Sequence, residues 1–162
     1  SLDLLINNAA IIRSKKITET KYSEWDDIFG INLRAPWFCS ICAAELMKLK
    51  NEGLIINIAD SGATKNWTKN AAYGISKNAL LNLTQVLAKS LAPDIRVNSI
   101  SPGLILPSDD MKPEQWNFLM KKSLLRREGK LDDLIRALDF IVDSPYLTGA
   151  DIVVDGGYRL GS

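Results

Sequence analysis

Tyr73 and Lys77 are the pair of residues in this sequence whose types and spacing best suit acid–base chemistry. They lie four positions apart in a segment of helical periodicity, so both side chains share one face of a helix. A lysine ammonium one turn from a tyrosine favours the phenolate and lowers the tyrosine pKa from its usual value of about 10. Such a tyrosine can donate a proton to a substrate oxygen or nitrogen. Alone, the spacing also fits two solvated residues on a helix surface.

Asp60 is a second candidate, because it follows the apolar run IINIA at the point where a buried strand should end. It stands thirteen residues before Tyr73. A carboxyl group beside apolar walls has a raised pKa and can hold and pass on a proton. The alternative is a local role, in which Asp60 makes an Asx-turn onto Ser61 and Gly62.

The composition excludes several classes of function. The chain has 162 residues, 46% apolar and 24% charged, with a net charge of +1. Its dispersed basic residues give no reason to expect a nucleic acid or an acidic membrane surface as a partner. No apolar run reaches the roughly 18 residues that a membrane span requires, and no signal peptide opens the chain. Because there is no histidine, histidine triads and histidine metal sites are excluded, and we expect no metal.

Cys39 and Cys42 form a C-x-x-C pair, which in other contexts is a redox motif. Here both cysteines fall inside the apolar periodic segment APWFCSICAAELM, away from a helix N-terminus that would lower a thiol pKa. We therefore expect buried helical thiols. The lack of a disulfide framework fits a reducing cytoplasm.

The elements that must position these residues alternate between strands and helices. Short apolar runs predict four strands, in LDLLINNA, GLIINIA, IRVNSI and DIVVDGG. Three- and four-residue spacing of apolar residues predicts a helix in SEWDDIFGINLRAPWFCSICAAELMKL, with a break around Asn32 to Pro36. The same spacing predicts a long helix in AAYGISKNALLNLTQVLAKSLA, which ends at Pro93, and two shorter helices near PEQWNFLMKK and LDDLIRALDFIVD. SGATKNWTKN and Leu104 to Pro113 are predicted loops. This order indicates an α/β fold, a parallel sheet with helices on both faces and with its ligand site beyond the carboxyl ends of the strands.

Six segments in this order resemble the short-chain dehydrogenase/reductase family over essentially the whole chain: INNAA, INLRAPW, IINIAD, YGISK, RVNSISPG and TGADIVVDGG. The resemblance implies a Rossmann-like doubly wound parallel sheet and a nicotinamide cofactor. It implies that Tyr73 donates the proton, that Lys77 lowers the pKa of Tyr73 and binds the nicotinamide ribose, and that Asn32 holds a relay water.

The cofactor contacts implied by the resemblance come from three motifs. Pro102, Gly103 and the following backbone would hold the nicotinamide carboxamide. Ala10 replaces the glycine of the family's N-N-A-G motif, and Pro107 replaces the threonine of P-G-x-I-x-T, so that threonine's contact to the pyrophosphate is not implied here. Carried over residue by residue, the cofactor-binding positions are Asn8, Ala9, Tyr73, Lys77, Pro102, Gly103 and Ile105.

The substrate class depends on Asp60. The family usually has a serine there, which hydrogen-bonds the reacting carbonyl, and Ser61 comes one residue late, on the other face of the strand. An aspartate resembles pteridine reductases and the related dihydrofolate or dihydromonapterin reductases, as do SPGLILPSDDMKPEQW and VDGGYRLGS. A pterin offers ring N–H and amino donors to a carboxylate, and its C=N bonds need a proton as well as a hydride. The expected substrate contacts are Asp60, Tyr73, Leu104, Leu106, Met111 and Trp116, while surface packing is favoured for Trp67.

Family members begin with a strand, a glycine-rich turn and a helix that hold the pyrophosphate and adenosine. This chain has no G-x-x-x-G-x-G motif, so we expect residues 1–162 to be a single domain, the C-terminal catalytic portion of an N-terminally truncated Rossmann-type fold. The resemblance to pteridine reductases favours NADPH, although no residue present separates NADP from NAD.

Three interpretations of the function remain open. The first is an NADPH-dependent reductase of a pteridine or dihydrofolate-type substrate. The second is a family reductase of another carbonyl substrate (a quinone, a diketone or a 3-oxoacyl compound), in which Asp60 is structural. The third is a non-catalytic fragment without its cofactor half. The resemblance also implies a small-molecule substrate, a homo-oligomer (dimer or tetramer) and a cytoplasmic location.

Overall fold

The four apolar runs form one parallel sheet. The computed structural model describes residues 1–108 and 111–161. The strands lie in the order β1-β2-β3-β4, and every neighbouring pair is parallel. Their bounds are Leu4–Asn7 (β1), Gly53–Ile58 (β2), Ile95–Pro102 (β3) and Asp151–Val154 (β4). Since all four strands run the same way, their carboxyl ends meet at one edge of the sheet, which is where the predicted site residues were expected.

Helices connect the strands, as the periodicity predicted. The α-helices are Tyr22–Phe29 (α1), Ala35–Met47 (α2), Ala71–Leu91 (α3), Pro113–Lys122 (α4) and Leu131–Val142 (α5). Short 3₁₀ turns cover Ile17–Glu19, Ser61–Lys65 and Tyr158–Leu160, so the predicted loop SGATKNWTKN contains one turn of helix. No helix in the described part of the chain is long and apolar enough to cross a bilayer.

Apolar residues pack on both faces of the sheet, which gives two cores. On one face, α2 and α3 cover Ile55 and Val97, and on the other α5 covers Ile56 and Ile100. These four side chains are almost completely excluded from solvent, and full burial of each stabilises the fold by about 1.5–3 kcal/mol. The prediction of a Rossmann-like α/β sheet is confirmed.

The helix break predicted around Asn32 to Pro36 is wrong, because the chain stays helical throughout this stretch. A π-helical turn, Gly30–Arg34, joins α1 to α2, and the N–H of Ala35 donates to the carbonyl of Gly30. Pro36 follows in the first turn of α2, where its missing N–H is tolerated. The wider turn carries Asn32 into the interior, where it is fully buried.

Cys39 and Cys42 are helical, as predicted, but they are exposed rather than buried. Helix α2 carries apolar residues on all of its sides, so the periodicity did not show which face points inward. The side that packs on the sheet carries small residues and Met47, while Trp37 and Phe38 on the outside are 49% and 60% exposed.

Candidate active site

Asp60 lies just beyond the end of β2 in extended conformation and caps the 3₁₀ turn Ser61–Lys65. Its Oδ1 accepts a hydrogen bond of 2.7 Å from the N–H of Gly62. The turn is closed by Trp67, whose ring occupies the space in which a Cβ at position 62 would stand. The Asx-turn foreseen as an alternative role for Asp60 therefore forms.

The second oxygen of Asp60 faces the catalytic tyrosine candidate. The hydroxyl of Tyr73 donates to Oδ2 of Asp60 at 2.7 Å. The ring of Trp67 stacks on that of Tyr73, with 6.3 Å between the centroids and 15° between the planes. Trp67, for which surface packing was favoured, thus supports the tyrosine directly. Capping and contact with Tyr73 coexist, because the two oxygens of one carboxylate serve them separately.

Burial sets the proton affinities of this pair. It raises the pKa of Asp60 above the usual aspartate value, against the opposing effects of the Tyr73 hydrogen bond, the Gly62 N–H and the Lys77 charge. The pKa of Tyr73 is also raised, first by burial and then by the adjacent Asp60 carboxylate. Burial and Asp60 thus set the pKa of Tyr73 above its usual value, and the lowering by Lys77 stays a prediction. Tyr73 is a neutral hydroxyl donor, and losing its proton is easiest when Asp60 is itself protonated.

Lys77 is one helical turn from Tyr73 and is only 3% exposed. Its ammonium donates to the carbonyl of Ile58 at the end of β2, at 2.7 Å. Burial lowers the Lys77 pKa to about 8, although the Asp60 carboxylate acts in the opposite direction. An ammonium has three N–H donors, and the Ile58 carbonyl takes one. Its other N–H donors make no hydrogen bond with a residue that the structure describes, which suits the binding of ribose hydroxyls.

Asn32 is held by three hydrogen bonds from its side-chain amide. It binds the N–H and the carbonyl of Ile11, at 2.8 and 2.9 Å, and donates to Oγ of Ser76 at 3.1 Å. These bonds tie the loop after β1 to α3, the helix that carries Tyr73. Because position 36 is proline, the carbonyl of Asn32 lacks the i+4 donor that an α-helix would provide. The relay-water role of Asn32 stays a prediction.

A cavity of about 480 Å³ lies above Asp60. Of the predicted substrate contacts, Asp60, Leu104 and Met111 line it. Tyr73 is not part of its lining and is connected to it through the hydrogen bond to Asp60. Leu106 and Trp116 are not brought to it: Leu106 is 66% exposed, and the indole N–H of Trp116 is held outside by a 2.7 Å hydrogen bond to Oε2 of Glu128. The cavity is also lined by residues that were not predicted to contact a substrate, among them Ile12, Lys65, Phe118, Leu119 and Tyr158.

The predicted cofactor positions lie at the same sheet edge. Asn8 and Ala9 are exposed in the loop after β1. Pro102 ends β3, and Gly103 borders the cavity, while Ile105 lines a neighbouring cavity of about 530 Å³. Gly103 must be glycine, because a Cβ there would lie 2.6 Å from Cβ of Asp155. The donors and close backbone approaches present fit the nicotinamide end of a dinucleotide.

The sheet, the Tyr73/Lys77 pair and the acid at the strand ends define a Rossmann-like α/β protein with an acid–base site. The family model described as enoyl-(acyl carrier protein) reductase matches residues 1–159. The chain belongs to the short-chain dehydrogenase/reductase family.

The chain is similar to proteins with different named activities. The crystal structure of FolM alternative dihydrofolate reductase 1 from Brucella suis, in complex with NADP, superposes with a TM-score of 0.93 at 33% identity and covers 99% of this chain and 65% of its own. A structure of 4-hydroxyisoleucine dehydrogenase with NADH has a TM-score of 0.88 at 29% identity, covering 99% of this chain and 70% of its own. Cyclopentanol dehydrogenase from Comamonas sp. is 34% identical, over 97% of this chain and 66% of its own length. The chain thus spans about two thirds of the length of the relatives it matches.

Proposed function

We propose that the protein containing this chain is an NADPH-dependent oxidoreductase that reduces a pteridine or dihydrofolate-type substrate. The observation that carries the proposal is the 2.7 Å hydrogen bond from the Tyr73 hydroxyl to Asp60, a residue that lines the cavity. An aspartate in that place suits a substrate with N–H and amino donors better than it suits a simple ketone, whose oxygen offers only lone pairs.

NADPH, when bound, supplies the hydride. Lys77 and Tyr73 would hold its nicotinamide ribose, and the backbone of Pro102 and Gly103 its carboxamide. Asn8, Ala9 and Ile105 are the remaining proposed contacts. The NADP in the FolM structure supports this choice of cofactor, since that structure covers 99% of the chain. The structure of 4-hydroxyisoleucine dehydrogenase, which is also similar to this chain, contains NADH, so the test compares both cofactors directly.

Proton supply falls to Tyr73 and Asp60. Tyr73 donates its hydroxyl proton to the substrate nitrogen that becomes basic when the neighbouring carbon is reduced. The phenolate left behind is unfavourable beside a carboxylate, as the raised pKa of Tyr73 shows. A protonated Asp60, in contact with the same hydroxyl, returns a proton to it. In this proposal Asn32 positions the loop after β1 and a relay water that links the pair to solvent.

The second candidate function is the reduction of another carbonyl substrate. The 34% identity to cyclopentanol dehydrogenase supports this candidate, because oxidation of an alcohol is the reverse of reduction of a carbonyl. The observation that favours it is the capping bond from Gly62 to Asp60, which gives the aspartate a purely structural use. A non-catalytic fragment is the third possibility.

The deciding experiment uses the full-length protein. Oxidation of NADPH and of NADH is followed with five substrates: dihydrofolate, a dihydropterin, a quinone, a diketone and a 3-oxoacyl thioester. Reduction of NADP⁺ is followed with cyclopentanol. Preference for the pteridines by kcat/KM supports the proposal. Turnover of only the carbonyl compounds or the alcohol favours the second candidate, and no turnover with any pair favours the third.

The apolar exterior of α2 bears on assembly. Trp37, Phe38, Ile41 and Leu46 are each between 38% and 60% exposed, and together they form an apolar patch of the kind that proteins cover. We propose that a second copy of the chain covers this patch in a dimer or tetramer. We also propose that residues 1–162 are the C-terminal catalytic portion of a single domain and that the protein is cytoplasmic. Light scattering of the full-length protein, with Trp37→Glu as the disrupting variant, measures the assembly.

A further inference from the structure

Tyr158 reaches the substrate cavity from the turn that follows β4. It is 7% exposed and lines the cavity together with Asp60. Burial raises the pKa of the Tyr158 hydroxyl, and the Asp60 carboxylate in the same cavity lining raises it further. The hydroxyl makes no hydrogen bond to any residue that the structure describes. It is a protonated donor at the wall of the cavity.

The turn that carries Tyr158 has a fixed conformation. Asp155 binds it through both carboxylate oxygens, Oδ1 accepting from the N–H of Gly157 at 2.8 Å and Oδ2 from the N–H of Arg159 at 2.9 Å. Gly156 and Gly157 adopt φ of 58° and 78°, which glycine accepts without strain. Residues within the turn thus set its conformation. A further contact holds the turn against the cavity.

Lys65 provides that contact from the opposite side. Its ammonium donates to the carbonyl of Tyr158 at 2.9 Å and to that of Gly161 at 2.7 Å. The same nitrogen lies 4.6 Å from the centroid of the Tyr158 ring, within range of a cation–π interaction. Lys65 is the last residue of the 3₁₀ turn capped by Asp60. One side chain in the cavity lining therefore links the segment after β2 to the segment after β4.

We propose that Tyr158 contacts the substrate as a specificity-determining residue, and that Lys65 is the positioning residue that holds Tyr158 at the cavity wall. Tyr158 brings an aromatic ring and a hydroxyl donor to the cavity that Asp60 also lines, an arrangement that suits a flat heteroaromatic ring with acceptor nitrogens and oxygens. This inference rests on the proposed reductase site but not on the identity of the pteridine, because the contacts are defined by the cavity.

The test compares Tyr158→Phe, Lys65→Met and Lys65→Arg with wild type in the full-length protein. Tyr146→Phe, an exposed tyrosine after α5, and Lys89→Met, an exposed lysine on α3, are matched controls. For the pteridine substrate, Tyr158→Phe is expected to raise KM about three- to tenfold, the loss that one hydrogen bond predicts, with kcat within about twofold of wild type. Lys65→Met should raise KM at least as much, and Lys65→Arg, which keeps the charge and the donors, should recover most of the loss.

Two further readouts separate positioning from general destabilisation. In the Tyr158→Ala background, Lys65→Met should add less than twofold to KM, because a positioning residue has nothing left to position. The Kd for NADPH should stay within about twofold of wild type in every variant. An unchanged KM in Tyr158→Phe overturns the contact, and equal effects of Lys65→Met with and without Tyr158 overturn the positioning role. If wild type reduces only a carbonyl compound, the proposed substrate is wrong, and the same variants then test Tyr158 and Lys65 on that compound.

Discussion

The hydroxyl of Tyr73 and the carboxylate of Asp60 form one acid–base unit, joined by a hydrogen bond of 2.7 Å between the end of β2 and the first turn of α3. Burial raises the pKa of both groups, and the Asp60 carboxylate raises that of Tyr73 further, while the Tyr73 hydrogen bond partly offsets the effect of burial on Asp60. The unit therefore keeps a proton available to a substrate at the carboxyl edge of the sheet.

Tyr73→Phe is expected to abolish turnover while leaving cofactor affinity largely intact. Phenylalanine keeps the ring and its stacking on Trp67 but removes the proton donor. General acid catalysis contributes roughly 10²–10⁴-fold, so kcat should fall by at least a hundredfold. Steady-state kinetics and NADPH titration of the full-length variant measure both quantities, with Tyr146→Phe as the control. A variant that keeps more than a tenth of wild-type kcat removes Tyr73 from the mechanism.

Lys77→Met is expected to abolish activity without lowering stability. Burial disfavours the ammonium and lowers its pKa to about 8, so the fold gains little from the charge that the cofactor would use. The unfolded chain holds this proton up to about pH 10.4. Because the unfolded state then binds more protons, wild-type stability should rise between about pH 8 and 10, and the variant should lack that rise. Thermal melts across this range decide the matter, and a variant with lower Tm at neutral pH would contradict the prediction.

The pH dependence of kcat for a pteridine substrate should show a loss on the alkaline side that belongs to Asp60. The protonated form of Asp60 resupplies Tyr73, and its pKa is raised by burial. As pH rises through that raised pKa, the proton source is lost and the carboxylate charge opposes ionisation of Tyr73, so kcat falls. Asp60→Asn, which cannot titrate, should lack this alkaline loss. An identical profile in both proteins would exclude Asp60 as the proton source.

The sequence predicted the sheet and the approach of Asp60 to Tyr73. Parallel topology brings the carboxyl ends of the strands to one edge of the sheet, and the strand and helix periods place both side chains at that edge. It did not predict the sign of the pKa shift at Tyr73, since helical spacing to Lys77 says nothing about depth. It also missed Tyr158 and Lys65, whose contact joins segments 93 residues apart and depends on how the turn after β4 returns over the cavity. The exposure of Cys39 was unpredictable from a helix that carries apolar residues on all of its sides.

The 162-residue chain by itself is expected to bind NADPH weakly. The described residues supply groups for the nicotinamide end, and the sequence holds no glycine-rich turn for the pyrophosphate. Strand β1 also forms an edge of the four-stranded sheet, and such an edge can pair with another chain. Calorimetry on the isolated chain tests the first point and light scattering the second. Micromolar binding of NADPH would show that the adenosine half of the site is dispensable.

Asp60→Ser separates the two candidate functions. Serine restores the hydroxyl that the family commonly uses to bind a carbonyl, so reduction of a quinone or diketone should survive or improve. It cannot match a carboxylate as acceptor for ring N–H and amino groups, and its hydroxyl, with a far higher pKa, cannot relay a proton at neutral pH. A charge-assisted hydrogen bond contributes about 1.5–3 kcal/mol, which is roughly ten- to a hundredfold in kcat/KM for dihydropterin or dihydrofolate.

A fall in the activity of Asp60→Ser has two sources. The carboxylate is lost from the site, and any substitution of Asp60 also disturbs the turn Ser61–Lys65, which Asp60 caps through the N–H of Gly62. Serine is a good cap and limits this effect, and the ratio of kcat/KM between the two substrate classes cancels what remains. A selective fall for the pteridines supports Asp60 as the residue that recognises and protonates them. If both classes fall by the same factor in the full-length protein, Asp60 serves only to hold the strand end, and the pteridine assignment loses its main support.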